Sequence, residues 1–124
     1  MTLCLVVDDE EDHKEIGKIL CRGLGLEVEG ASDGEEALAF CKNRLPDLIL
    51  LDWMMPKMSG LEFLHKLRQL PEGYRVHVMM CSARGDEEAI EYALSEGADS
   101  YLAKPFNPPE LMEKILETRI IDKV

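Results

Sequence analysis

Asp47-Leu-Ile-Leu-Leu-Asp52-Trp-Met-Met-Pro56 runs from a wholly apolar stretch into one carboxylate and then breaks at proline. A short apolar run bounded by turn signals suits a strand buried on both faces, with its last residue emerging at the edge of a sheet. Asp52 is that residue. A lone acid at a strand end most often caps the next turn, so its meaning depends on what else reaches the same edge.

Upstream, Leu3-Cys-Leu-Val-Val7 is cut off by Asp8-Asp9-Glu10-Glu11-Asp12, which predicts a first strand and an acidic loop. Ile16, Ile19, Leu20 and Leu24 then recur at helical spacing. They predict a first helix with that stripe turned to the core, opened by Asp12-x-x-Glu15 and closed near Gly23 and Gly25. Leu26-Glu-Val-Glu alternates as a second strand, and Ser32-x-x-Glu35 opens a second helix with Ala37, Leu38 and Cys41 inward.

Downstream, Ser59-Gly-Leu-Glu62 makes a capping box ahead of a third helix carrying Leu61, Phe63, Leu64 and Leu67. Val76-His-Val-Met-Met-Cys81 predicts the fourth strand. Residues 86–96 predict a helix with Ile90, Ala93 and Leu94 on one side, stopped by Gly97. Ser100-Tyr-Leu-Ala103 is the fifth strand, and Asn107 before Pro108-Pro109 caps a last helix with the stripe Leu111, Met112, Ile115 and Leu116. Strands alternating with helices through short loops require parallel pairing, because only crossover helices join parallel neighbours. The expected fold is an open, doubly wound α/β domain whose ligand crevice lies at the carboxyl ends of the strands.

At 124 residues the chain has the length of one domain, expected to be a single monomeric unit spanning 1–124. No apolar run approaches the roughly eighteen residues of a membrane helix, and the N-terminus lacks the basic start of a signal peptide. A cytoplasmic protein without membrane insertion is therefore expected. The net charge of -11 argues against direct nucleic-acid contact and for basic partner surfaces or a bound cation. Cys4, Cys21, Cys41 and Cys81 show no C-x-x-C spacing and are expected to be small buried hydrophobes. His13, His65 and His77 do not cluster.

The residues at the strand ends are Asp8-Asp9 after the first, Asp52 after the third, Ser82 after the fourth and Lys104 after the fifth. Two carboxylates held about 4 Å apart repel by roughly 4 kcal/mol at an effective dielectric near 20, so a cation must offset the cluster. Lys104 supplies one charge. A hard divalent ion supplies two, and Mg²⁺ is usual where phosphate is handled. Acids, a lysine, a hydroxyl and a metal together are equipment for phosphoryl transfer, with a carboxylate able to act as the nucleophile.

With these residues in place, the chain resembles the receiver domains of two-component response regulators, the single-domain chemotaxis regulator among them. The resemblance covers residues 3–120 and rests on Val6-Val7-Asp8-Asp9, Ala31-Ser-Asp-Gly-Glu-Glu-Ala-Leu38, Leu51-Asp52-Trp-Met-Met-Pro56, Ser59-Gly60, Ser82-Ala83, Gly97-Ala98 and Tyr101-Leu-Ala-Lys104-Pro105-Phe106. It implies a flavodoxin-like (βα)5 fold with strand order 2-1-3-4-5. It further implies that Asp52 is phosphorylated by a sensor histidine kinase or phosphotransfer protein, and that Asp9, Asp52 and the Met54 carbonyl ligate Mg²⁺, with Asp8 acting through water. Lys104 would pair with Asp52 or the phosphoryl group. Ser82 would move toward the phosphoryl oxygen and Tyr101 would follow inward, altering a partner surface on helix four, strand five and helix five that includes Ile90 and Lys114. The family also has a cis bond before Pro105. Met54 and Arg84 occupy the positions that flank the hydrolytic water, so they are expected to shield the acyl phosphate and lengthen its life.

The resemblance implies a switch acting on a downstream protein partner, with dimerisation on phosphorylation left open, and no enzyme beyond its own phosphoryl transfer and autodephosphorylation. A phosphatase of the haloacid-dehalogenase class would carry Asp-x-Asp, whereas Trp53 and Met54 follow Asp52. A flavin-binding module would not place five acids at its phosphate loop. Within the signalling class, a stand-alone regulator is favoured over the excised receiver of a longer DNA-binding or enzymatic regulator, because Arg119-Ile-Ile-Asp-Lys-Val124 carries no linker.

Overall fold

The computed structural model describes residues 2–118. Residues 119–124, on which the stand-alone expectation leaned, lie outside the described residues. The strands are β1 (Leu3–Val7), β2 (Glu27–Ala31), β3 (Leu48–Asp52), β4 (His77–Ser82) and β5 (Ser100–Ala103). They form one parallel sheet in the order β2-β1-β3-β4-β5. The helices are α1 (Glu11–Gly23), α2 (Gly34–Asn43), α3 (Gly60–Arg68), α4 (Glu87–Ser95) and α5 (Pro108–Glu117).

Alternation along each strand divides the interior in two. Leu5, Val7, Ile49, Leu51, Val78 and Met80 face α2, α3 and α4, meeting Ala37, Phe63, Leu64, Leu67 and Ala93. Cys4, Val6, Leu48, Leu50, Met79 and Cys81 face the opposite side, with Cys21, Leu111 and Ile115 from α1 and α5. Both faces are covered, as the unbroken apolar runs require.

The cap of α3 is the capping box expected at Ser59 and Glu62, and α5 has a second one between Asn107 and Glu110. Asp86 caps α4 through the Ala89 N–H. Two expected starts shift. α2 is capped by Asp33, which accepts the Glu36 N–H at 2.8 Å while the Glu36 carboxylate accepts the Ser32 N–H at 2.9 Å, one residue beyond the Ser32/Glu35 pair. α1 begins after Glu10, whose side chain makes no cap bond, so Asp12 lies within the first turn.

The inward face of α1 also differs from the apolar stripe. Ile16 and Ile19 are 50% and 60% exposed, and the buried residues are Lys14, Gly17 and Cys21. Gly17 explains the choice: a β-carbon there would lie 3.2 Å from the Val6 side chain, so the helix packs closest to the sheet along its smallest residues. Lys14 runs its stem over Gly30 and ends on the Ser32 hydroxyl at 2.6 Å, a polar head reached by an apolar stem. Leu94 and Leu116 likewise point outward from α4 and α5.

At the amino end of the sheet, the Arg68 guanidinium donates to the carbonyls of Gly73, Val76 and Gly97 and to the Asp99 carboxylate at 2.7–2.8 Å. Asp99 also accepts the Val78 N–H. One side chain at the end of α3 thereby ties together the loops that enter β4 and β5.

Candidate functional site

Register brings the expected residues to one edge. Val7 is paired with Leu51, so Asp8 and Asp52 follow side by side; Asp52 is paired with Cys81, and Ser82 with Ala103. The Lys104 N–H continues the ladder onto the Ser82 carbonyl at 2.7 Å. The Lys104-Pro105 peptide is cis.

Lys104 Nζ lies 3.1 Å from Asp8 Oδ2 and 3.3 Å from Asp52 Oδ1, bridging the two carboxylates. Asp8 Oδ1 accepts the Glu10 N–H, and Asp8 and Asp52 are both buried. Asp9 is exposed at the rim, yet Asp8, Asp9 and Asp52 each offer an oxygen within 4.8 Å of the others. Burial pushes the Asp52 carboxyl up to about 6; Lys104 opposes the rise, and the charges of Asp8 and Asp9 add to it. Lys104 is raised despite its burial, because Asp52 and Asp8 favour its charged form. One ammonium faces three acids, and three hard oxygen donors converging from two strand ends fit a small divalent cation.

Ser82 is buried, and its hydroxyl accepts the Arg84 N–H at 3.1 Å. Tyr101 is inward in this structure, donating its hydroxyl to the Arg84 carbonyl and setting its ring edge-on to Trp53. Trp53 in turn stacks on Tyr92 of α4, with centroids 6.3 Å apart and planes at 22°. The chain of contacts from Ser82 through Arg84, Tyr101 and Trp53 to Tyr92 was not readable from sequence, since Tyr92 has no spacing relation to Trp53.

The two residues expected to shield the acyl phosphate are both at the surface. The Met54 side chain is 74% exposed, and the Arg84 guanidinium is engaged with both oxygens of Asp86 at 3.1 and 2.8 Å. Ile90, Tyr101 and Lys114 share one cleft of about 440 Å³ on α4, β5 and α5, with buried Tyr101 as its floor.

A second cleft, of about 420 Å³, opens beside Asp52 between α1 and the segment after β5. Asp8, Asp52 and Lys104 form its polar end, and Ile16, Gly17, Pro105 and Phe106 its apolar wall, with His13 at the side. His13 Nδ1 is 2.9 Å from Glu10 and 3.9 Å from Asp8. This cleft went unseen in the sequence because Ile16 was assigned to the core. The signal available was the Lys14, Gly17, Cys21 spacing, which fits a helix face as well as the isoleucines do.

A parallel sheet in the order 2-1-3-4-5 with five helices, carrying two acids, a hydroxyl and a lysine at its carboxyl edge, defines a flavodoxin-like α/β domain. The chain belongs to the response regulator receiver domains, whose family model matches residues 4–116. Similar proteins include the phosphate regulon transcriptional regulatory protein PhoB of Rhizobium meliloti, 43% identical over 89% of this chain and 48% of its own length. The alkaline phosphatase synthesis transcriptional regulatory protein PhoP of Bacillus subtilis is 40% identical over 90% of this chain and 45% of its own length. The chain thus spans about half the length of these curated relatives. Among solved structures, the chemotaxis protein CheY4 of Vibrio cholerae superposes with a TM-score of 0.88 at 31% identity, covering 98% of this chain and 99% of that one. The receiver domain of the sensor histidine kinase PA1611 of Pseudomonas aeruginosa, described with magnesium coordinated in its active-site cleft, gives 0.85 at 29% identity over 96% of this chain and 97% of that one.

Proposed function

We propose that the chain is a phospho-accepting switch in which an Asp52 oxygen attacks the phosphoryl group of a phosphohistidine on a sensor kinase or phosphotransfer protein. The P–N bond breaks as the new P–O bond forms, and the donor imidazole leaves as the neutral ring after taking up a proton. The observation carrying this reading is Lys104 bridging Asp8 and Asp52 at the mouth of an open cleft. Asp8, Asp9, Asp52 and the Met54 carbonyl would hold Mg²⁺, which when bound supplies positive charge to the phosphoryl oxygens. Lys104 would exchange a carboxylate for a phosphoryl oxygen, and the Ser82 hydroxyl would turn from the Arg84 N–H to donate to another. Since Arg84 also accepts the Tyr101 hydroxyl, its movement would reach Trp53 and Tyr92, changing the surface of Ile90, Tyr101 and Lys114.

The donor would enter over Ile16, Pro105 and Phe106. Half-exposed Ile16 and Ile19 forgo part of the roughly 1.5–3 kcal/mol that full burial of each gives, which favours a use at an interface. The chain would turn over no substrate other than itself, and would work in the cytoplasm; among the described residues no helix is long and apolar enough to cross a membrane. A second reading, that it is the receiver part of a longer transcriptional regulator, is favoured by relatives of about twice its matched length. In that case DNA contact would belong to another domain, and dimerisation through the Ile90 and Lys114 face would be the output.

Trp53 fluorescence should respond first to Mg²⁺ and then to acetyl phosphate, with intact mass rising by one phosphoryl group. Asp52→Asn should abolish the mass change. A phosphorylated Asp52→Asn chain would overturn the assignment.

A further inference from the structure

Four thiols are buried in this fold, and two of them form a pair. Cys4 on β1 and Cys21 on α1 bring their sulfurs to 3.7 Å in the core layer beneath α1, both fully buried. The approach follows from the same packing that turns Ile16 outward. Gly17 lets the helix lie against Val6, and one turn later Cys21 meets Cys4.

We infer that Cys4 and Cys21 are an oxidisable dithiol, a modification site at which a hydroperoxide closes a disulfide between β1 and α1. The Cys21 thiolate attacks the peroxide, the O–O bond breaks, and Cys21 leaves as a sulfenic acid with loss of water or alcohol. The Cys4 sulfur then attacks the Cys21 sulfur, the S–O bond breaks, and a second water departs carrying the Cys4 proton. Two thiols are oxidised by two electrons and one peroxide is reduced. The sulfurs must close by about 1.7 Å to reach the disulfide length near 2.05 Å.

Three features separate this pair from the other thiols. The contact between the two sulfurs, in which either can donate, lowers Cys21 from the ordinary thiol range and raises Cys4, so the pair can share one proton and expose one thiolate. Burial pushes Cys41 and Cys81 up to about 12, which leaves them inert at neutral pH. Cys21 also stands in the last turn of α1, before exposed Arg22 and Gly23, where helix ends open without global unfolding. Opening there admits the peroxide, and reclosure presents the Cys4 sulfur to the sulfenic acid before a second peroxide arrives.

The test exposes the folded chain to hydrogen peroxide, denatures it, alkylates the remaining thiols and measures intact mass and linked peptides. The expected product has lost two mass units, takes two alkyl groups instead of four, contains a Cys4–Cys21 linked peptide and reverts with dithiothreitol. Cys81→Ser should keep the two-unit loss, and Cys21→Ser should abolish it. Four alkylated thiols after exposure, oxygen addition without cross-linking, a link between chains, or a link to Cys41 or Cys81 would each overturn the assignment. The mapping is made on the unaltered chain, so it stands even where a variant folds poorly.

Discussion

Gly60 rests against the backbone of Asp52: a β-carbon at that position would lie 2.9 Å from the Trp53 Cα and closer still to the Asp52 carbonyl oxygen. The Gly60 N–H also donates to the Trp53 carbonyl at 2.8 Å, so the first turn of α3 is seated on the segment that presents the acceptor. Gly60→Ala should push that segment outward and cost roughly 1–3 kcal/mol by overpacking. Urea unfolding should show the loss, and labelling by acetyl phosphate should slow with it. Wild-type values in both would mean the seat is not tight.

The Asp52 carboxyl, held near 6 in the folded chain, lies above the roughly 3.9 of an unfolded aspartate. Between those values the folded chain keeps a proton the unfolded chain has lost, so stability present at about pH 4 falls as pH rises through 6. In chelator, Asp52→Asn should therefore raise stability at pH 7.5 by an amount on the order of 2–3 kcal/mol, and the thermal midpoint with it, and the gain should vanish near pH 4. Midpoints scanned against pH for both chains check this; a gain independent of pH would contradict it.

Asp9 adds to the repulsion on Asp52 from an exposed position. Without metal, Asp9→Asn should raise the midpoint by less than Asp52→Asn does and bring the Asp52 titration down toward the ordinary range. With Mg²⁺ the order should reverse, since the wild-type cluster gains a cation the variant holds weakly. Differential scanning with and without Mg²⁺ separates the two effects, and an equal or lower metal-free midpoint would show that the cluster is unstrained.

Arg84 is held by Asp86. If it shields an acyl phosphate at Asp52, Asp86→Ser, which keeps a capping hydroxyl for α4 while removing the competing carboxylate, should lengthen the phosphoryl lifetime severalfold. Met54→Ser with Arg84→Ser should shorten it. Decay of the phosphorylated mass after removal of acetyl phosphate measures both, and equal lifetimes in all three chains would dismiss any shield.

The alternation of strands and helices and the strand-end residues Asp8, Asp52, Ser82 and Lys104 were legible because they depend on patterns a linear chain displays: apolar runs, turn residues and the residue after each run; the strand order that brings those residues together came only with the family resemblance. The inward face of α1 was not legible, because hydrophobicity ranks Ile16 and Ile19 above Gly17 and Cys21, whereas close packing on Val6 rewards the small residues. Capping at α2 slipped by one position, since Ser32 and Asp33 are both good caps and only backbone geometry chooses between them. The Arg84–Asp86 pair and the Trp53–Tyr92 stack depend on side-chain directions, which carry no periodic signature.

The Arg68 guanidinium pins three carbonyls and a carboxylate at the amino end of β4 and β5, while their carboxyl ends are tied by Ser82, Tyr101 and Lys104 to partners that can be exchanged. On that arrangement the sheet would be stiffer at its amino end than at its carboxyl end, like a beam built into a wall. Strain introduced at Asp52 would then be expected to show at the less tied end, in the loop that carries Arg84 and in Tyr101 of β5, whose hydroxyl is bonded to it. On that account the direction of any conformational response to phosphorylation would be set by a residue at the far edge of the sheet from Asp52.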